Sequence, residues 1–195
     1  MYPDNSWYGH RFILTKYCKS IDKEIFATIQ HGWYSEHEIK AINLSKRKLL
    51  IAPYLSWDNK FNKFYGLKAR TIPIGSPFLY LDKIIEKKEI SPKGTIYFPP
   101  HSVAEDYQAN HMGLRAILKH HEAIEELKKT GEAPFTVSLY YEDYKNIEIR
   151  KIYESNGWNM VTFGDRNNKS FLYSVYNEIM KNNLLVVTDY TSALF

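Results

Sequence analysis

The stretch Asn182-Asn-Leu-Leu-Val-Val-Thr-Asp-Tyr-Thr-Ser-Ala-Leu-Phe195 determines how we interpret the rest of the chain. Its apolar, partly β-branched run Leu184–Val187 is typical of a short strand buried on both faces of a parallel sheet. Residues with hydroxyl or carboxyl side chains follow at once, in positions 188–192. Thr191 or Ser192 is suited to cap a helix that starts there.

A turn of this kind presents free backbone N–H groups and the positive end of a helix dipole, which attract anions. In open α/β sheets, ligands bind at the carboxyl ends of the strands. We therefore predict that Asp189, Thr191 and Ser192 belong to a phosphate-binding turn. A capped helix without a ligand explains the same local sequence. Because only Ala193-Leu-Phe195 follow the cap, we also expect the C-terminal domain to be truncated.

The composition narrows the class of protein. The 195 residues are 44% hydrophobic and 25% charged with a net charge of +4, which is ordinary for a globular protein with a core. No apolar run approaches the roughly twenty residues of a membrane-spanning helix and no signal-peptide pattern is present, so we expect a cytoplasmic protein. The mildly basic net charge is compatible with binding of phosphorylated small molecules or of an anionic membrane surface. No motif supports nucleic-acid binding.

Cysteine and histidine usage argues against metal and disulfide chemistry. The single cysteine, Cys18, has no partner for an internal disulfide and no neighbour at a metal-ligand spacing. His120 and His121 point apart on a helix, and neither they nor His111 are accompanied by a completing ligand. We expect no metal site and no cofactor.

Short apolar strands alternate with helical patterns along the whole chain. Strands are predicted at residues 25–30, 49–53, 69–74, 95–98, 135–140, 160–163 and 184–187, and the clearest helices at 56–66, 112–129, 147–154 and 171–181. This alternation is typical of parallel α/β layers. The break Ser91-Pro-Lys-Gly94 has the composition of a linker. We predict two Rossmann-type layers, in domains 1–92 and 93–195.

Polar residues stand where three of these strands end. His31 and Gly32 follow the first strand, His101 and Ser102 follow the strand at 95–98, and Gly164 and Asp165 follow the strand at 160–163. The pKa of histidine lies near working pH, which makes His31 a candidate general base. Each has a structural alternative: an imidazole that bonds loop carbonyls, a plain turn at 101–102, and a helix N-cap at Asp165 and at Asp189.

Together, the strand that leads into His31-Gly32, the segment Ile74-Gly-Ser-Pro77 and the Thr-Asp-Tyr-Thr-Ser turn resemble the two-domain GT-B glycosyltransferases of bacterial surface polysaccharide synthesis. The groups most similar are the CDP-glycerol glycerophosphotransferase-like and capsular polysaccharide transferases. The resemblance covers nearly the whole chain. Two departures favour a sugar donor over glycerol phosphate: Trp33-Tyr34 replaces the usual Thr-Pro-Leu-Lys, and the segment 99–102 replaces Pro-Thr-Trp/Tyr-Arg.

The resemblance implies a metal-independent transferase that moves a sugar or polyol-phosphate unit from a nucleotide-sugar or CDP-polyol donor to a glycan or lipid-linked acceptor. It implies that His31 is the base and that the residues from Thr188 to Ser192 hold the donor phosphates. His101, Ser102, Gly164 and Asp165 would contact the rest of the donor. The transfer reaction would take place in the cytoplasm, with peripheral contact of the protein at the inner membrane. Alternatives are a sugar-nucleotide epimerase or hydrolase on the same fold, and a non-catalytic nucleotide-binding or assembly module.

Overall fold

The computed structural model describes residues 3–20, 23–32, 53–59, 70–86, 89–99 and 112–187, without the side chains of 3, 4 and 112–117. These residues form two compact units. The first contains the described residues up to 86 together with Arg166–Tyr173, and the second contains 89–165 and 174–187. The segment Arg166–Tyr173 thus belongs to the first unit although both of its flanks belong to the second.

The first unit is built on a three-stranded parallel sheet in the order β1-β2-β3. Its strands are short: β1 (Thr28–Ile29), β2 (Tyr54–Ser56) and β3 (Thr71–Pro73). β2 lies directly after the predicted strand at 49–53, of which residues 49–52 are outside the described ranges. Its last residue, Ser56, was predicted to begin a helix. Parallel pairing of β2 with β3, for example of Tyr54 with Thr71, holds Ser56 in a strand. This pairing overrides the local helix propensity.

The N-terminal segment packs against this sheet. 3₁₀ turns span Pro3–Gly9, with a break at Trp7 and Tyr8, and the helix α1 (His10–Tyr17) follows. Asn5 is buried, and its side chain donates to Ala27 O at 2.6 Å and accepts from Ile29 N at 2.9 Å. The amide side chain therefore continues the hydrogen-bond ladder beside β1, which fixes the N-terminus to the sheet. The 3₁₀ helix Pro77–Tyr80 and the helix α2 (Leu81–Ile84) complete the unit.

The second unit has a four-stranded parallel sheet in the order β6-β5-β4-β7. The strands are β4 (Thr95–Phe98), β5 (Phe135–Ser138), β6 (Asn159–Val161) and β7 (Leu184–Val187). All four residues of β4 are buried, as expected for the central strand of a parallel sheet. β7 differs from the prediction of burial on both faces, because it pairs with β4 alone in the described sheet and leaves Leu184 36% exposed.

Helices connect these strands in the way the alternating pattern predicted. They are α3 (Met112–Thr130), α4 (Tyr141–Lys145), α5 (Ile147–Glu154) and α6 (Phe171–Ile179). The Asn146 side chain caps α5 by accepting from Glu148 N at 2.9 Å. The core between α3, α5 and the sheet contains Ile124, Val137 and Tyr153.

The observed architecture confirms an α/β fold with two parallel sheets of the Rossmann-like class. Within the described residues, no helix is long and apolar enough to cross a membrane.

Candidate functional site

His31 lies at the carboxyl edge of the first unit's sheet. Gln30, the residue after β1, donates its backbone N–H to Leu55 O at 2.9 Å, so the sheet pairing extends one residue past the strand. His31 and Gly32 follow directly and are half-buried. The structure therefore puts His31 where the sequence predicted it, and its role as a base stays a prediction.

The side chain of Gln30 ties the ends of two strands together. It is buried, and its Oε1 accepts from Trp57 N at 2.8 Å while its Nε2 donates to Gly32 O at 2.6 Å. The Trp57 indole N–H in turn donates to Gln30 O at 3.0 Å. Because a buried amide holds its position only when its donors and acceptors are paired, this set fixes the loops that present His31 and Trp57.

A second imidazole stands beside His31. The rings of His10 and His31 are stacked with their centroids 5.9 Å apart and their planes 12° apart. His10 is fully buried, and within the described residues neither of its ring nitrogens has a hydrogen-bond partner. Burial, with the neighbouring His31 as the smaller cause, lowers the pKa of His10 to about 3. His10 is therefore neutral at pH 7.

Two indole rings complete the surroundings of this histidine pair. The Trp7 ring lies 4.6 Å from the His31 ring, and the Trp57 ring lies 6.3 Å from the His10 ring. Aromatic faces of this kind suit the apolar faces of sugar rings, although packing alone also explains them. His10 and Trp7 were missed as site residues, because the segment from 2 to 10 has the Pro, Asn and Gly content of a loop. Its density of aromatic residues was the available signal.

The segment Arg166–Tyr173 brings a cation to the same region. The Arg166 guanidinium lies 4.0 Å from the centroid of the Trp7 ring, and Arg166 O accepts from Tyr8 N. Gly9 makes this approach feasible, since it has a φ of +82° and a Cβ there would lie 2.2 Å from Lys169 O. Arg166 is exposed, and its guanidinium can attract an anion to this side of the unit. Sequence reasoning gave it no role, because its partners are distant in the chain.

The second unit has its own carboxyl edge. β4 and β7 are neighbours, with Phe98 paired to Val187, and the chain leaves these strands toward 99–102 and 188–192. The predicted donor residues His101, Ser102, Asp189, Thr191 and Ser192 all lie outside the described residues. The roles of these five residues stay predictions.

Gly164 and Asp165 follow β6 at this edge and are half-buried. Gly164 has a φ of +79°, which favours glycine. The next helix, α6, begins six residues after Asp165, at Phe171, so the alternative of a helix N-cap for Asp165 is wrong. Hydrogen bonds from Lys145 lower the pKa of the Glu142 carboxyl, and the charge of Asp165 opposes this shift slightly.

Aromatic side chains line the same edge. The half-buried rings of Tyr140 and Tyr141, just after β5, lie 4.6 Å apart in an edge-to-face arrangement. The rings of Phe98 and Phe163, at the ends of β4 and β6, lie 6.4 Å apart and nearly parallel. The sequence signal for this cluster is an aromatic residue within three positions of each strand end. Such an edge offers flat faces to a planar ligand.

His120 is a buried histidine in the interior of the second unit. It is 4% exposed, and its Nδ1 lies 2.6 Å from the Tyr153 hydroxyl oxygen. Burial, with a smaller contribution from His121, lowers the pKa of His120 to about 4. Within the described ranges, no group of three or more His, Cys, Asp or Glu side chains is arranged to hold a metal ion.

Comparison of the chain with protein-family models, with curated protein sequences and with solved structures finds no match.

Proposed function

We propose that this chain is a transferase that moves a sugar or polyol-phosphate unit from a nucleotide-activated donor to a cell-surface glycan. In this proposal the second unit binds the donor nucleotide and His31 of the first unit is the base. The observation that carries the proposal is the strand order β6-β5-β4-β7. It is the order 3-2-1-4 that begins the nucleotide-binding doubly wound sheet.

This order creates a switch point between β4 and β7. The chain proceeds from β4 to β5 and β6 on one side of the sheet, then returns through α6 to place β7 on the other side of β4. In doubly wound sheets, the connections on the two sides of such a point leave the strands in opposite directions and open a crevice. Ligands of open α/β sheets bind at such a point, and backbone N–H groups there favour phosphates.

The chemistry of the flanking sequence agrees with a nucleotide. Thr191 and Ser192 supply hydroxyl groups after β7, and His101 and Ser102 supply polar groups after β4. The half-buried aromatic pair Tyr140 and Tyr141 offers a stacking surface for a base along the same edge. We assign the phosphates of the donor to the switch point and its nucleoside to the side of β5 and β6, where Asp165 can accept from ribose hydroxyls.

His31 has the surroundings of a usable base. The buried Gln30 fixes the strand end that carries it, and the neighbouring His10 is neutral at pH 7. In the reaction, the acceptor hydroxyl oxygen bonds to the transferred carbon or phosphorus as the bond to the nucleotide phosphate oxygen breaks. The hydroxyl proton passes to His31, and the nucleotide leaves as an anion held by backbone N–H dipoles.

Substitution of the base tests the assignment. We expect His31→Ala to lower turnover of a nucleotide-sugar or CDP-polyol donor roughly 10²- to 10⁴-fold and to leave the dissociation constant of the nucleotide unchanged. His121→Ala, at an exposed histidine of α3, is the matched control. Unchanged turnover in His31→Ala would refute the role of His31. Nucleotide binding without turnover of any donor would instead favour the non-catalytic nucleotide-binding module.

A further inference from the structure

The first unit contains an apolar cavity of about 380 Å³ that the proposed function does not use. It lies between α1, residues 20 and 23–25, and the residues in and just after β2 and β3. Neither His10 nor His31 lines it. Its volume is within the range of ligand pockets, which begins at roughly 300 Å³.

Hydrocarbon groups form most of the cavity wall. Leu14 contributes from α1, Leu55 from β2, and Ile25 and Ile74 from the adjoining segments. The rings of Tyr17 and Tyr80 form one side and meet edge to face, 4.6 Å apart. A cavity with such a wall favours an apolar occupant over water.

Three of the four hydroxyl groups that line the cavity are already committed to backbone carbonyls. Thr15 Oγ1 donates to Arg11 O at 2.9 Å, and Ser20 Oγ donates to Cys18 O at 3.2 Å. The Tyr80 hydroxyl donates to Ile74 O. Because these three hydroxyl hydrogens have internal acceptors, a polar ligand would lose its own hydration without gaining them as donors.

Among the described residues that line the cavity, the charged side chains carry opposite charges. Lys23 and Glu24 are consecutive and exposed, and they contribute one charge of each sign. A charged ligand head would therefore meet attraction and repulsion of similar size, whereas a neutral head meets neither. The rim and the wall together favour a molecule with a neutral head and a hydrocarbon body.

We propose that this cavity binds a single unbranched alkyl chain of a neutral amphiphile. An engineered apolar cavity of about 150 Å³ holds benzene, with its six carbons, so by proportion this one holds a chain of roughly fifteen carbons. The site goes beyond the proposed transfer reaction and does not rest on it.

A series of primary alcohols from butanol to octadecanol, which extends past the length that fills the cavity, tests the proposal, with binding to the whole chain measured by calorimetry. Each added methylene should tighten binding roughly fourfold, and the gain should stop once the chain fills the cavity. Bound alcohol should also slow alkylation of the exposed Cys18 thiol, which lines the cavity. Naphthalene serves as the rigid aromatic alternative.

Two neighbouring substitutions locate the site. Ile25→Trp should fill the cavity and abolish alcohol binding, whereas Phe26→Trp, at a residue that is 78% exposed and outside the lining, should leave it unchanged. Cys18→Phe, at an exposed position, is the second filling variant if Ile25→Trp does not fold. Nucleotide binding measured in the same samples reports separately on the proposed function.

Each outcome of these experiments either supports the alkyl-chain site or overturns it. A plateau in the chain-length series, protection of the Cys18 thiol by bound alcohol, and loss of alcohol binding in a filled variant would support the alkyl-chain site. Affinity that keeps rising with chain length, Cys18 that reacts at an unchanged rate, or full binding by a folded filled variant would overturn it. Tighter binding of naphthalene than of any alcohol would also overturn it, in favour of an aromatic ligand.

Discussion

The buried pair of His120 and Tyr153 predicts that acid destabilises the second unit. The ordinary pKa of histidine is 6.5, and in the folded chain the pKa of His120 is lowered to about 4. Between these two values the unfolded chain binds a proton that the folded chain does not. The free energy of unfolding therefore falls as the pH falls from 6.5 toward 4, and this contribution is fully present above 6.5.

The size of the effect follows from the two pKa values. Their difference corresponds to roughly 3 kcal/mol, of which roughly 2 kcal/mol is lost between pH 7 and pH 4.5. That loss is a substantial part of a typical domain stability of roughly 5–15 kcal/mol. His10, with a pKa of about 3, acts with the same sign in the first unit, so the measurement must report on the second unit alone.

Hydrogen exchange of the β5 amides, corrected for the pH dependence of intrinsic exchange, provides such a report. The double variant His120→Phe/Tyr153→Phe removes both polar groups together, which costs little at pH 7. We expect the double variant to lose roughly 2 kcal/mol of the decrease in unfolding free energy between pH 7 and pH 4.5. Tyr153→Phe alone keeps the buried imidazole and should keep most of that dependence. A double variant as sensitive to acid as the unchanged chain would refute the reasoning.

Two further predictions concern the backbone and the N-terminus. Gly94→Ala should lower the free energy of unfolding by roughly 2 kcal/mol more than Gly157→Ala, because both glycines have positive φ but only at Gly94 would a Cβ meet Pro134 O, at 2.1 Å. Equal losses in urea unfolding would contradict this. Asn5→Asp should cost at least about 2 kcal/mol, because the buried donor to Ala27 O is lost and a carboxylate is buried in its place. Asn177→Asp, at an exposed site on α6, is the control, and thermal unfolding that ranks the two variants equally would argue against the role of Asn5.

Local sequence signals were sufficient for much of the second unit. α5 has the predicted bounds because an Asn cap precedes an amphipathic stretch. α3 was also recognised from its amphipathic pattern, and it ends one residue past its predicted end. The parallel strands were found because short β-branched runs alternate with these helices. Propensity was weaker in the first unit, where strands of two or three residues depend on pairing with distant segments.

The sequence predicted only those residues of the candidate site that directly follow a strand. His31 stands after a strand, and this position is visible in sequence. His10 and Arg166 reach the same region through packing of segments 21 and 135 positions away from His31. No periodicity or spacing encodes such contacts, since they arise from the fold as a whole. The exposed side of β7 was missed for the same reason, because sheet order decides which strand lies at an edge.

The central claim is that a nucleotide binds at the switch point between β4 and β7, and calorimetric titration with CMP, CDP, UDP and GDP tests it most directly. We predict that one nucleotide binds and that Thr191→Ala/Ser192→Ala weakens it about tenfold or more through loss of hydrogen bonds to phosphate. Thr130→Ala/Ser155→Ala, which removes hydroxyls bonded to helix carbonyls at the opposite edge of the sheet, should change nothing. A folded chain that binds none of the four nucleotides, or binds equally well after the first double substitution, would contradict the account.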